Sequence, residues 1–264
     1  MPIHPTAVVD SAATIDASAS IGPYAVVSGP VIIGADCVLS PAAIVMGHTT
    51  LGAGCRIHSH AVVGDAPQDL KYHGDVSYCH IGEGSVVREG ATVHRGTLAG
   101  TATVVGKRCL LMTNSHVGHN CELSDDVILV SGSLLGGHVH VGARAIVSGN
   151  AAVHQNVRIG ELALVGIQAR ITQDVPPFCI TDQEGNVVAE NRVGMKRAGF
   201  TLGERAELRA AFGAIYRDGI GRNAALQYLQ NAMTTDAGRR LLAFYAHDSA
   251  RGSGMRLYNE SHAA

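Results

Sequence analysis

The chain has 264 residues with 32 glycines, 4% aromatic residues and no tryptophan, which excludes a core built around large rings and leaves packing to small branched side chains. Twenty basic against twenty-two acidic residues give a formal charge of -2, so there is no electrostatic basis for a nucleic-acid partner. No stretch approaches about eighteen uninterrupted apolar residues, and Met1-Pro2-Ile3-His4-Pro5 lacks a charged and apolar leader, so a soluble, cytoplasmic protein without membrane insertion is expected.

A six-residue beat begins near the N-terminus. Val9, Ile15, Ile21, Val27, Ile33, Leu39, Val45, Leu51, Ile57 and Val63 are spaced six apart. The beat resumes at Ile81, Val87 and Val93, then runs from Val105 through Val117, Leu129, Val141 and Val153 to Ile171. Only Asp69, Asp75 and Ala99 break it, so loop excursions are expected near 65–80 and 96–103. Neither a helical period nor simple strand alternation gives strict recurrence at six, whereas a coil with three short flat faces does. Each coil then takes roughly eighteen residues, with one aliphatic side chain per face pointing inward and small or polar residues at the corners. The six cysteines, at 37, 55, 79, 109, 121 and 179, form no CxxC pair and sit among aliphatic neighbours, as reduced, buried thiols do.

Asp174-Val175-Pro176-Pro177 ends the regular beat, and a polar connector is expected to about residue 192. The remainder reads as helical: Thr201 and Glu204 form a capping box ahead of Leu208, Ala211, Phe212 and Ile215, and further amphipathic segments lie near 223–233 and 236–248. The expected architecture is mainly β, a parallel β-helix over residues 1–190 followed by an α-helical C-terminal domain over 191–264.

Because coils repeat every eighteen residues, position modulo eighteen predicts which side chains stack. Between 105 and 171, where the beat is unbroken, His154, His119 and His138 fall at adjacent phases, with His138 directly above Asn120 and His116 on the approach. A histidine ladder can hold zinc, but an H-x4-H pair like that of the γ-type carbonic anhydrases is absent, and no metal or other cofactor is expected.

The segments Gln68-Asp69-Leu70-Lys71-Tyr72, His94-Arg95-Gly96-Thr97, Asn114-Ser115-His116-Val117-Gly118-His119, Gly136-Gly137-His138, Val153-His154-Gln155, Gln173-Asp174-Val175-Pro176-Pro177 and Lys196-Arg197 resemble the UDP-N-acetylglucosamine acyltransferases in identity and order. A hexapeptide beat is common to many acyltransferases; these segments together are far more specific. The resemblance implies left-handed winding, an exception to the usual crossover rule. It also implies direct transfer of an (R)-3-hydroxyacyl group from acyl carrier protein to the glucosamine 3-hydroxyl of UDP-N-acetylglucosamine. On the same resemblance His119 is the general base and Gly137 the amide facing the thioester oxygen. His138 and Gln155 contact the sugar nucleotide, His116 and His154 position substrate and acyl chain, and Asp69, within the Gln68–Tyr72 segment, contacts the glucosamine. Lys71 and Arg197 secure phosphates or the carrier arm, and Gln68 and Asn191 also bind substrate.

Three positions depart from the family pattern. Asn120 stands in place of an aspartate, Ala198 replaces a second basic residue, and Ile167 lies where a small residue ends the acyl groove, which implies a chain shorter than fourteen carbons. The resemblance also implies a homotrimer with sites between subunits. The nearest rival is the N-acyltransferase of the same pathway, which normally carries an N-terminal uridine-binding domain; here the beat starts by Val9. A γ-carbonic-anhydrase-like metalloenzyme and a non-catalytic carrier-binding scaffold are the alternatives of other classes.

Overall fold

The computed structural model describes residues 3–217, 222–247 and 249–252. The chain winds as a left-handed parallel β-helix whose strands fall into three sheets. Face 1 contains nine strands from Val8–Val9 to Arg170–Ile171, and face 2 contains eight, from Thr14–Ile15 to Arg158–Ile159. Face 3 contains ten, from Ser20–Ile21 to Val187–Glu190. Most strands are two residues long, and successive coils pair in parallel eighteen residues apart, as in His116 with Leu134 and Leu134 with Ala152.

The beat residues form the interior: Val63, Leu111, Val117, Leu129, Leu135 and Val165 are all fully buried in one continuous core. Each removes apolar surface from water at about 25 cal/mol per Å², and stacking makes every coil the floor of the next. From Arg108 to Gln168, every sixth residue has positive φ, including Asn114, Asn120, Asp126, Gly132, His138 and Arg144. These are the corners. Their N–H groups are spent on the coil beneath, as in His138 N–H to the His119 carbonyl at 2.9 Å and Asn156 N–H to the Gly137 carbonyl at 3.0 Å. Asn120, His138 and Asn156 lie on the edge between faces 1 and 2; Arg144 and Leu162 lie between faces 2 and 3; Asn150 and Gln168 lie between faces 3 and 1.

The stack is interrupted twice. Val62 pairs with Thr92 and Thr92 with His116, so the first of these coils is longer by twelve residues and the second by six. The extra chain lies between Val62–Asp65 and Tyr78–Ile81, and between Thr92–His94 and Ala102–Val105. Both excursions leave face 1 and return on face 2, at the edge that also carries Asn120 and His138. All six cysteines are buried and free, and Cys109 and Cys121 donate their S–H groups to the carbonyls of Ser124 and Gly136.

Beyond the beat the structure differs from the expected polar connector. Cys179–Thr181 continues face 3, and Val187–Glu190 returns antiparallel to it across a turn with Gly185 at positive φ. This hairpin closes the end of the sheet, which would otherwise present unpaired backbone groups. Among the described residues four α-helices follow: α1 (Arg192–Arg197), α2 (Leu202–Phe212), α3 (Arg222–Ala232) and α4 (Asp236–Ala246). The Thr201–Glu204 capping box is formed reciprocally, and α2 runs into a wider π turn over Gly213–Arg217. Leu208, Phe212, Leu229 and Leu241 form a second core with Leu162 and Phe178 of the prism. The segment near 223–233 matches α3; the expectation that the last helix reaches 248 extends beyond Ala246, and residue 248 lies outside the described residues. No described helix is long and apolar enough to cross a membrane.

Leu129 is fully buried in mid-stack, so Leu129→Ala leaves a cavity that its rigid neighbours cannot collapse. The expected destabilisation is about 2–5 kcal/mol, read as a lower urea midpoint with the coil otherwise intact.

Candidate functional site

The edge between faces 1 and 2 collects polar chemistry because register places it there. His119 precedes the Asn120 corner, Gly137 and His138 occupy the next coil up, and the two excursions emerge below. The His119 and His138 rings meet edge to face with centroids 5.1 Å apart. The fold thus brings His119 and His138 together as the eighteen-residue frame predicts.

Asn120 fixes the His119 ring. Its Oδ1 accepts the Thr97 N–H at 3.0 Å and lies 3.1 Å from His119 Nδ1. A backbone N–H can only donate, so the atom facing it is the amide oxygen, and His119 Nδ1 must donate to the same oxygen. The neutral ring therefore carries its hydrogen on Nδ1 and presents a lone pair at Nε2. The Asn120 N–H itself binds Thr103 Oγ1 at 2.7 Å, so both flanks of the second excursion brace this corner.

The Nε2 atom faces two groups. Asp69 Oδ2 lies 3.6 Å away, brought from the first excursion. Gly137 lies on the other side, where a Cβ would stand 2.4 Å from Nε2; only glycine leaves room for the imidazole. The Gly137 N–H makes no hydrogen bond among the described residues and is free to donate. Asp69 holds its loop by accepting the Lys71 N–H at 3.0 Å, which lowers its pKa, with a smaller contribution from His119. The side chains of Gln68 and Lys71 are exposed on the same excursion.

His116 stands one strand earlier. Its Nδ1 lies 2.7 Å from Thr92 Oγ1, and its ring meets that of His94 at 4.9 Å. Burial pushes its pKa down to about 4, helped by charge repulsion from His94 and His119. Burial also lowers His94 and His138, where carboxylates at Asp65 and Asp69 respectively oppose the shift. These rings stay neutral near neutral pH, so positive charge does not accumulate among the packed imidazoles.

The other residues named from the sequence do not touch this pair of rings. His154 and Gln155 are exposed one coil above Gly137, and the His154 ring contacts neither His119 nor His138 among the described residues. Asn191 caps α1: its Oδ1 accepts the Gly194 N–H and its Nδ2 donates to the Leu162 carbonyl, each at 2.8 Å. That places Asn191, with Arg197 and Ala198, at the edge between faces 2 and 3, around a cavity of about 340 Å³ also lined by Arg144. Arg192, Lys196, Arg197 and Arg205 line a neighbouring basic groove. Ile167 is 59% exposed at the third edge.

Sequence reasoning missed His94 and the Arg95 pin. Arg95 donates to the Gly64 carbonyl at 2.9 Å and to the Tyr72 hydroxyl at 2.6 Å, fastening the first excursion over the site. Both were present in the His94-Arg95-Gly96-Thr97 motif, but the six-residue excursion displaces them from the phase count.

Known proteins match the chain throughout. The family profile "Udp N-acetylglucosamine O-acyltransferase; Domain 2" matches residues 174–253, and "Bacterial transferase hexapeptide (six repeats)" matches 30–65. An acyl-acyl carrier protein–UDP-N-acetylglucosamine O-acyltransferase from Anaeromyxobacter sp. is 42% identical over 87% of this chain and 90% of its own. One from Paraburkholderia phymatum is 40% identical over 95% and 98% respectively. The crystal structure of UDP-N-acetylglucosamine O-acyltransferase from Moraxella catarrhalis superposes with a TM-score of 0.92 at 35% identity, covering 96% of this chain and all of that one.

Burial holds His94, His116 and His138 below their ordinary value of 6.5, so at lower pH the unfolded chain binds protons that the folded chain refuses. Stability is therefore complete above about pH 6.5 and falls as pH drops toward about 4, where His116 protonates in the fold. Thermal midpoints across that window should decline, and His116→Gln should flatten the decline.

Proposed function

The chain belongs to the UDP-N-acetylglucosamine O-acyltransferase family, and from that premise we propose that it transfers an (R)-3-hydroxyacyl group from acyl carrier protein to the 3-hydroxyl of UDP-N-acetylglucosamine, opening lipid A biosynthesis, with His119 as general base. The observation that carries this assignment is the Asn120 oxygen shared between Thr97 N–H and His119 Nδ1, which leaves Nε2 as the free base atom.

The chemistry needs little else, because a thioester is already activated. Nε2 takes the proton of the sugar hydroxyl as its oxygen bonds to the thioester carbon. Negative charge gathers on the carbonyl oxygen, where the unpaired Gly137 N–H donates; one such donor is typically worth about 10²–10³ in rate. Collapse breaks the carbon–sulfur bond, and the imidazolium returns its proton to the departing thiolate. In this chain the carboxylate that steadies the imidazolium is Asp69, 3.6 Å from Nε2, while neutral Asn120 sets the tautomer. Asp69 contacts the glucosamine as well, with Gln68 beside it, His138 and Gln155 hold the sugar nucleotide, and His116 and His154 position substrate and acyl chain.

A homotrimer accounts for the scattered residues. The His119 edge, the Asn191–Arg197 edge and the Ile167 edge are different corners of one prism, and three prisms packed side by side set one chain's corner against another's. Arg197 and Lys71 then serve the phosphates or the carrier arm from either side of a shared cleft, and Ile167 ends the acyl groove.

His119→Ala should lower turnover at least about 10²-fold with an unchanged circular dichroism spectrum; near-wild-type activity would remove His119 as the base. Sedimentation should give about three times the 27.4 kDa chain mass. Rates on carrier-bound 3-hydroxyacyl chains should favour ten or twelve carbons over fourteen, with Ile167→Gly shifting preference toward the longer chain.

A further inference from the structure

After α4 the chain returns to the prism and brings a guanidinium to the catalytic edge. The Asp174 N–H donates to the Gly252 carbonyl at 2.9 Å. Asp174 is itself buried, its carboxylate accepting the N–H and Nε–H of Arg158 at 2.8 Å each. From this anchor Arg251 reaches across the outer coil: its Nε donates to the Gln155 carbonyl at 2.9 Å, and its Nη2 lies 2.6 Å from His154 Nδ1.

A guanidinium has donors and no acceptor, so His154 Nδ1 must offer its lone pair and the neutral ring must carry hydrogen on Nε2. Without Arg251, Nδ1 would face only the Gln155 carbonyl, 3.4 Å away, an acceptor that favours the opposite tautomer. One charged fork therefore bridges two adjacent residues and decides which atom of the exposed ring can donate. Lysine, a point charge, cannot span both.

We propose that Arg251 is a positioning residue for the acyl transfer: it locks His154 as the Nε2–H tautomer and so supplies a hydrogen-bond donor aimed at a substrate oxygen. The proposal rests on the reading that His154 touches substrate. Its role comes from the fork alone.

The test uses the full-length enzyme, with ring nitrogen shifts of His154 read by 15N spectroscopy alongside steady-state kinetics. The wild type should show a single tautomer with unprotonated Nδ1; Arg251→Ala and Arg251→Lys should both show a mixture. Arg251→Ala should lower kcat/KM about ten-fold, the scale of one lost charge-assisted hydrogen bond. In a His154→Ala background the same change should cost nothing further. An unaltered tautomer in both arginine variants, or a full loss persisting without His154, overturns the proposal. A single tautomer in a wild type that fails to acylate UDP-N-acetylglucosamine would support the lock and remove the functional reading beneath it.

Discussion

Two flat strands can follow one another around a prism only if the backbone turns sharply within a few residues and still spends its N–H groups on the coil below. From Arg108 to Gln168 the turn is made at positive φ, which disfavours an ordinary side chain by about 1–2 kcal/mol. Asn114, Asn120, Asp126, Gly132, Asn150 and Asn156 are the residue types that tolerate it best. Arg144 and Leu162 do not belong to that set. Leu162 is compensated from outside, since its side chain packs into the helical core and its carbonyl accepts Asn191 Nδ2. The C-terminal helices are in this sense bonded to a corner that would otherwise be strained.

The same constraint governs the site. His138 sits in a positive-φ corner with its N–H bound to the His119 carbonyl, so the two imidazoles are held at a spacing set by coil pairing rather than by flexible side chains. Sheet geometry thus preorganises an imidazole that a loop would leave mobile. The excursions add what the coil cannot: Asp69 opposite Nε2, Thr97 and Thr103 bracing Asn120, and Arg95 with Tyr72 fastening the loop.

Much of this was legible in the sequence for a physical reason. One inward side chain per six residues is a pattern no other periodic structure imposes, so Val9 to Ile171 fixes both coil and phase. His119, His138 and Asn120 fall within the uninterrupted stretch, and their neighbourhood follows from arithmetic. His94 lies across an excursion, where counting fails although pairing with the next coil does not. The Val187–Glu190 hairpin escaped because four residues carry too little alternation to distinguish a strand from a connector. The Arg251–His154 contact joins residues ninety-seven apart through a segment with no periodic signature.

Both excursions depart and rejoin between consecutive rungs at one seam, and apart from one irregularity between Val63 and Asp65 the strands beside them pair in register. Their length is consequently decoupled from the lattice. A descendant enzyme could lengthen, shorten or exchange these inserts to accept a different alcohol or amine while keeping every interior side chain in register, so substrate range can drift without renegotiating the core.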